Sequence, residues 1–277
     1  MNGDEVQFHR VRSFDVELHV ETRGSGAPVV ALGGIASSAT STIEFADAVV
    51  AAGYRLITYD RRGTYRSTDS AAPAADATEA AERQADDLIA ILDGLAIERA
   101  ALLASCAGSG IALETLCRNP DRITAVVVHE PLTVSVLPNP QQEVQALMRY
   151  HDVTTEGGGE AGMRAFLADF GLPAPDDFAK SAEREASRGG ALQETVEAIL
   201  YQPRIEDLRR HRQRIAVAVG HVGEVKQHVF ARAAMSLADQ LHLEVIRVPG
   251  HHSAYFFEAA PFAEAALAAL ATVGENA

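Results

Sequence analysis

A run of small and aliphatic residues, Ala100 to Ala104, stops at Ser105-Cys106-Ala107-Gly108 and gives way to an apolar stretch with helical character, Ile111 to Cys117. A short continuous apolar run has strand length, so the chain must pass from strand to helix within a few residues. A strand–tight turn–helix of this kind holds its apex residue, Cys106, in a strained backbone conformation. It leaves no space two positions to either side for side chains larger than Ala or Gly. Ala104 and Gly108 occupy those two positions. A thiol at the start of a helix and near a histidine is expected to have a lowered pKa, exposing a thiolate at neutral pH. The second cysteine, Cys117, lies about 16 Å along that helix at 1.5 Å per residue. A disulfide needs Cα atoms within about 7 Å, so the two cannot bridge, and Cys117 reads as a small core residue.

The same rhythm runs through the chain. Val6–Val11 and Val16–Thr22 alternate as two antiparallel strands around a turn at Ser13–Asp15. Short apolar strands follow at Pro28–Leu32, Arg55–Tyr59, Ala100–Ala104 and Ile123–His129. Between them lie a helix over Ile43–Val50 closed by Gly53, a helix capped by Thr78 with Leu88, Ile91, Leu92 and Leu95 on one stripe, and a helix over 107–118 ended by Asn119–Pro120. Fully apolar strands alternating with helices predict an α/β fold with a mostly parallel sheet and helices on both faces. After Glu130 the rhythm breaks. Residues 132–207 offer amphipathic helical stretches punctuated by Gly157–Gly159 and Pro173–Pro175 and read as an inserted helical lid. Strand Ile215–Val219, a helix over about 225–240, strand Leu243–Val248 and a helix from about 260 complete a core of 1–131 and 208–277. Met148, Phe166, Phe170, Phe178 and Tyr201 either line a pocket under the lid or, for most of them, form the lid's own small core.

The net charge of −14 argues against a nucleic-acid partner, which needs clustered Lys and Arg. With 277 residues the chain is long enough for a large core. No stretch approaches the roughly 20 apolar residues of a membrane span, and Met-Asn-Gly-Asp-Glu lacks a charged-then-apolar leader, so a cytoplasmic protein without membrane contact is expected. Neither His nor Cys recurs at ligand spacing, and the glycines fit no nucleotide fingerprint, so no metal and no cofactor are expected. Asp60 and Arg62 read as turn-stabilising residues. Glu114, Asp86 and Asp87 read as solvated helix residues, and His9, His19, His211, His221, His228 and His242 as surface histidines.

Four segments together resemble the α/β-hydrolase superfamily. Leu32-Gly33-Gly34 is similar to its apolar strand ending in His-Gly, and Tyr59-Asp60-Arg61-Arg62-Gly63-Thr64-Tyr65-Arg66-Ser67 to its Tyr-Asp-x-Arg-Gly-x-Gly-x-Ser turn. Ala104-Ser105-Cys106-Ala107-Gly108 matches the nucleophile elbow, and Pro249-Gly250-His251-His252 with Phe262 resembles the histidine loop and closing helix. The chain departs from the pattern where Cys106 replaces Ser, as in the dienelactone-hydrolase branch. Gly33 replaces His, Tyr65 replaces Gly, and Val222 and Gly223 stand where an acid follows the strand.

The resemblance implies a nucleophile at Cys106, a base at His252 or His251, and an acid at Glu130 or Glu224. It also implies an oxyanion hole from the backbone N–H groups of Ile35 and Ala107. A Pro-Gly-Gly-His-type loop selects His252, and the empty later acid site selects Glu130. The order Cys106, Glu130, His252 keeps the family's nucleophile–acid–histidine sequence. The implied function is attack on an ester, lactone or thioester through an acyl-cysteine, in the manner of an esterase or thioesterase, on a small molecule with an apolar body, free or carrier-bound. Two alternatives remain: an acyltransferase or cyclase using the same intermediate, and a non-catalytic small-molecule receptor. Oligomeric state is not implied.

Overall fold

The computed structural model describes residues 5–35, 37–40, 43–67, 74–169 and 190–274. Phe170, Phe178 and Pro173–Pro175 lie outside them. The first half comprises β1 (Gln7–Ser13), β2 (Val16–Arg23), β3 (Pro28–Leu32), α1 (Ile43–Ala51), β4 (Arg55–Tyr59), α2 (Ala77–Gly94), β5 (Ala100–Ser105), α3 (Gly108–Arg118) and β6 (Ile123–His129). Between β6 and β7 the described regular elements are helical: a 3-10 turn (Val134–Val136), α4 (Pro140–Asp169), α5 (Gly190–Leu200), α6 (Ile205–Arg210) and a second 3-10 turn (Arg212–Arg214). Then come β7 (Ile215–Gly220), α7 (His221–Val225), α8 (Val229–Leu241), β8 (Val245–Val248), α9 (Ala254–Phe257) and α10 (Ala259–Gly274). Gly158, at φ 84 and ψ 170, breaks α4 into two helices at the glycine run. No described helix is long and apolar enough to cross a membrane.

The eight strands form one sheet in the order β1-β2-β4-β3-β5-β6-β7-β8. The β1–β2 and β2–β4 pairs are antiparallel, and every pair from β4 across to β8 is parallel. Alternation sorts each strand's residues between two cores. β7 sends Ile215, Val217 and Val219 toward α2, α3 and α8, where Leu88, Leu113 and Leu237 are fully buried. It sends Ala216 and Ala218 toward α1 and α10. The small residues on that face let the alanine-rich α10 approach through Ala263 and Ala266. Each fully buried Leu or Ile contributes about 2 kcal/mol.

Three local expectations are corrected. Asp76, not Thr78, caps α2: its carboxylate accepts from the N–H groups of Thr78 and Glu79 at 2.9 Å, placing Thr78 inside the first turn. The expected helix over about 225–240 is α8, which starts later, at Val229, because Gln227 (φ 50) separates it from the short α7. Asp87 is not solvated. It is fully buried and takes a two-pronged ion pair from Arg62 at 2.6 and 2.7 Å, tying α2 to the turn after β4. In that turn Tyr65 adopts φ 43, the conformation for which the family pattern uses glycine. The buried Asp60 accepts from Arg66 at 2.6 Å and from the Ala39 N–H at 2.8 Å.

Removing one member of a buried ion pair leaves an uncompensated charge and costs roughly 3–5 kcal/mol. Asp87→Ala should therefore lower the urea midpoint by the equivalent of about 3 kcal/mol at unchanged slope. A loss under about 1 kcal/mol would show that Arg62 is satisfied elsewhere.

Candidate active site

Cys106 follows β5 directly and adopts φ 53, a conformation that costs a non-glycine residue about 1 kcal/mol or more. Hydrogen bonds hold it there. Its N–H donates to the His129 carbonyl at 3.1 Å, and its carbonyl accepts from the N–H groups of Ser109 and Leu132, each at 3.1 Å. A side chain at Gly108 would stand 2.4 Å from the Leu32 carbonyl oxygen and 2.7 Å from that of Gly33, which is why the position after next must be glycine. The Cys106 sulfur receives the backbone N–H groups of Ala107 and Ile35, the two donors expected of an oxyanion hole. Ile35 belongs to the loop after β3, where the Gly34 N–H donates to the Tyr255 hydroxyl at 3.0 Å.

Glu130 leaves the end of β6 at φ 41 and is fully buried. One of its carboxylate oxygens accepts from the Gly220 N–H at 3.0 Å, and the other lies 2.9 Å from His252 Nδ1. Space for this carboxylate comes from the residues after β7. A Cβ at Gly223 would sit 2.2 Å from the Glu130 oxygen, and one at Gly220 3.1 Å. The adjacent histidines diverge as the loop turns through Gly250 (φ 82). His251 accepts the Ser253 N–H on its Nδ1 at 3.1 Å and packs against Phe257, whereas His252 lines the same cavity as Cys106. Glu224 pairs with Arg247 at 2.7 and 2.9 Å. The fold therefore brings Cys106, His252 and Glu130 to one end of the parallel strands, with Ile35 and Ala107 beside the thiol.

Residues 27–216 match the family model described as the alpha/beta hydrolase fold. The chain belongs to this family. It is 35% identical over 114 residues to the protein named "Putative carbamate hydrolase RutD" of Variovorax paradoxus, and 31% over 121 residues to an epoxide hydrolase of Caballeronia sordidicola. Those matches span 40% and 44% of this chain, and only 41% and 36% of the relatives' own lengths. In three dimensions it superposes on a solved carboxylesterase structure from Nitrososphaera gargenis with a TM-score of 0.77 at 18% identity, covering 98% of this chain and 100% of that one.

In this α/β-hydrolase-fold chain the expected thiolate is corrected. Burial pushes the Cys106 thiol up to about 12, outweighing the Ala107 and Ile35 N–H groups that pull it down. Burial likewise pushes His252 down to about 3, with His251 adding to the effect. The Phe230 ring stacks on the imidazole at 4.0 Å between centroids, and Phe166 meets it edge-on at 5.8 Å. Burial also raises Glu130 above the ordinary carboxyl range, with His129 and the Gly220 N–H opposing it. The aromatic cover favours neutral forms of thiol and imidazole alike.

The cavity shared by Cys106 and His252 encloses about 850 Å³, its mouth included. Its walls include Ile35, Leu132, Met163, Phe166, Ile199 and Phe230, and no described lining residue is a carboxylate, ammonium or guanidinium. Of the expected pocket candidates, Phe166 lines it and Met148 packs alongside. Tyr201 instead lies against Gly110 and donates to Glu114 at 3.1 Å. Glu114, expected to be solvated, is buried because Tyr201 and Arg204 both reach it. Nor is His19 at the surface: it is buried 2.9 Å from Glu21. Phe230 and Tyr255, which the motifs do not single out, also line the cavity; α8's apolar stripe and the aromatic run after the histidine loop are their signals in the sequence.

A raised thiol pKa means that thiolate appears only as the pH climbs toward it. Alkylation of Cys106 by iodoacetamide, followed by peptide mass spectrometry, should rise about tenfold per pH unit between about pH 7 and 10. A plateau reached below about pH 9 would mean that the thiol ionises far more easily than its burial implies.

Proposed function

We propose that this protein is a hydrolase that opens an ester, lactone or thioester through an acyl-cysteine intermediate, with Cys106 as nucleophile, His252 as base and Glu130 as its orienting acid. One observation carries the reading: the strained Cys106 sulfur, met by two backbone N–H groups, shares a cavity with the imidazole anchored on Glu130. The hydrolase names of its relatives accord with it.

With Glu130 accepting the proton of Nδ1, His252 presents Nε2 as an acceptor. Because the thiol rests neutral, its proton passes to Nε2 as sulfur bonds to the substrate carbonyl carbon. The carbonyl oxygen takes up negative charge against the N–H groups of Ile35 and Ala107, each worth roughly 3 kcal/mol in the transition state. Collapse breaks the bond to the leaving group, which receives the proton from Nε2. Water then gives a proton to Nε2, its oxygen attacks the thioester, and the departing sulfur recovers the proton. The described helices α4 and α5 of the insertion serve as the lid over the acyl pocket, whose uncharged walls suit a small molecule with an apolar body.

Mixing the protein with p-nitrophenyl esters of increasing chain length should give a burst of nitrophenol and an acyl adduct on the Cys106 peptide. Cys106→Ala should form none, and Glu130→Gln should acylate about a thousandfold more slowly with little change in KM. Absence of both burst and adduct across all chain lengths would leave a binding protein instead. Adding an amine distinguishes transfer from hydrolysis, because amide product at the expense of acid would mark an acyltransferase.

The base must be neutral to accept the thiol proton, and its lowered pKa keeps it so down to acidic pH. The acylation rate should therefore be flat from about pH 5 to 8, with its acid limb below that range. An acid limb near pH 6.5 would show that His252 titrates like an exposed imidazole.

A further inference from the structure

Arg61 follows β4 immediately beyond Asp60, and its side chain is only 3% exposed. Its guanidinium donates to the Gly33 carbonyl at 3.0 Å and to the Gly34 carbonyl at 2.6 Å. The Gly34 carbonyl and the Ile35 N–H belong to one peptide group. No peptide bond in the described chain is cis, and in a trans peptide the carbonyl and N–H point in opposite directions. A guanidinium that grips this carbonyl from behind therefore aims the N–H on the other side, which is the one that meets the Cys106 sulfur. The need for such a grip is local: two successive glycines rotate freely, and a planar cation with forked donors can hold both of their carbonyls at once.

A buried guanidinium needs a counter-charge, and here it comes from the helical insertion. Glu194 of α5 forms an ion pair with Arg61 Nε, its own side chain 9% exposed. On the same helix Thr195 and Ile199 line the cavity that holds Cys106 and His252. One helix thus carries both part of the pocket wall and the carboxylate that sustains Arg61.

We infer that Arg61 and Glu194 are a positioning pair that sets the Ile35 half of the oxyanion hole from the helical insertion, so that the site is complete only while α5 is seated. The inference rests on the acyl-cysteine reading above. Neither residue touches the reacting atoms. Their effect passes through one backbone N–H, so it is confined to negative charge facing that group: above all on the developing oxyanion, and to a smaller degree on the Cys106 sulfur.

That confinement supplies the test. Alkylation of Cys106 by iodoacetamide forms no oxyanion, whereas acylation by a p-nitrophenyl ester does. Both rate constants are measured at one pH on the full chain carrying Arg61→Met, Arg61→Lys or Glu194→Gln, each checked for wild-type circular dichroism. Acylation should fall about a hundredfold in Arg61→Met, the scale of losing one oxyanion donor, and about tenfold in Glu194→Gln. Alkylation should fall several-fold less than acylation in each variant, because the same N–H favours the thiolate only weakly against burial, and KM should change little. Arg61→Lys should recover part of the loss, because an ammonium can hold one carbonyl. If Arg61→Met does not fold, the two conservative variants carry the comparison. Equal losses in acylation and alkylation, or no loss in acylation, would overturn the inference while leaving the acyl-cysteine reading intact. A wild-type protein that is alkylated at Cys106 but never acylated would overturn both.

Discussion

The contact between Glu130 and His252 joins three separate stretches of chain: the end of β6, the end of β7 through the Gly220 N–H, and the loop after β8. A carboxylate removed from water costs several kcal/mol unless its oxygens are met by donors, and here each oxygen has one. The cost explains why the surroundings are so constrained. A side chain at Gly223 would displace the carboxylate outright, and one at Gly220 would crowd it. The missing acid after β7 and the acid after β6 are therefore a single structural feature. Space vacated on one strand end is taken up by the neighbouring strand's side chain.

Burial that fixes this geometry also governs protonation. Phe230 and Phe166 enclose the imidazole, and the thiol beside it is almost wholly covered. Backbone N–H groups do favour a thiolate, as helix N-termini do at exposed sites, but those of Ala107 and Ile35 do not offset loss of contact with water. A site built this way gives up a standing thiolate. On the acyl-cysteine reading it must move a proton during attack, and much of its rate then depends on how well backbone donors await the developing charge. Accurate aim of those donors matters more here than at a site that begins ionised.

The strand rhythm, the elbow and its small neighbours, the order of Cys106, Glu130 and His252 and the double-glycine loop were legible because each is a local pattern. Boundaries slipped where two neighbours could serve alike, as with Asp76 and Thr78 at the start of α2. The burial of Asp87 and Glu114 was illegible for a different reason. Their cationic partners, Arg62 and Arg204, lie 25 and 90 positions away, so helical spacing alone leaves both acids looking like solvated residues. The thiol was misjudged on the same ground. Residue spacing reveals a helix start, but not how completely the rest of the fold buries the thiol there.

An uncharged cavity wall limits how a bound molecule can be oriented. Apolar contact rewards burial of area without fixing direction, and each methylene gained or lost is worth only about 1–3 kcal/mol of discrimination. With no described carboxylate, ammonium or guanidinium on the wall, orientation falls to neutral polar groups, those of Tyr150, Thr154 and Thr195 and those around Cys106. On the acyl-cysteine reading, length and shape of the apolar body are then selected loosely by the helical insertion, while register falls to the backbone N–H groups of Ile35 and Ala107. Arg61 and Glu194, the buried ion pair behind the Gly33–Gly34 loop, neutralise each other. Their field therefore does not select a charged substrate, and their geometric effect is exerted through the peptide they hold.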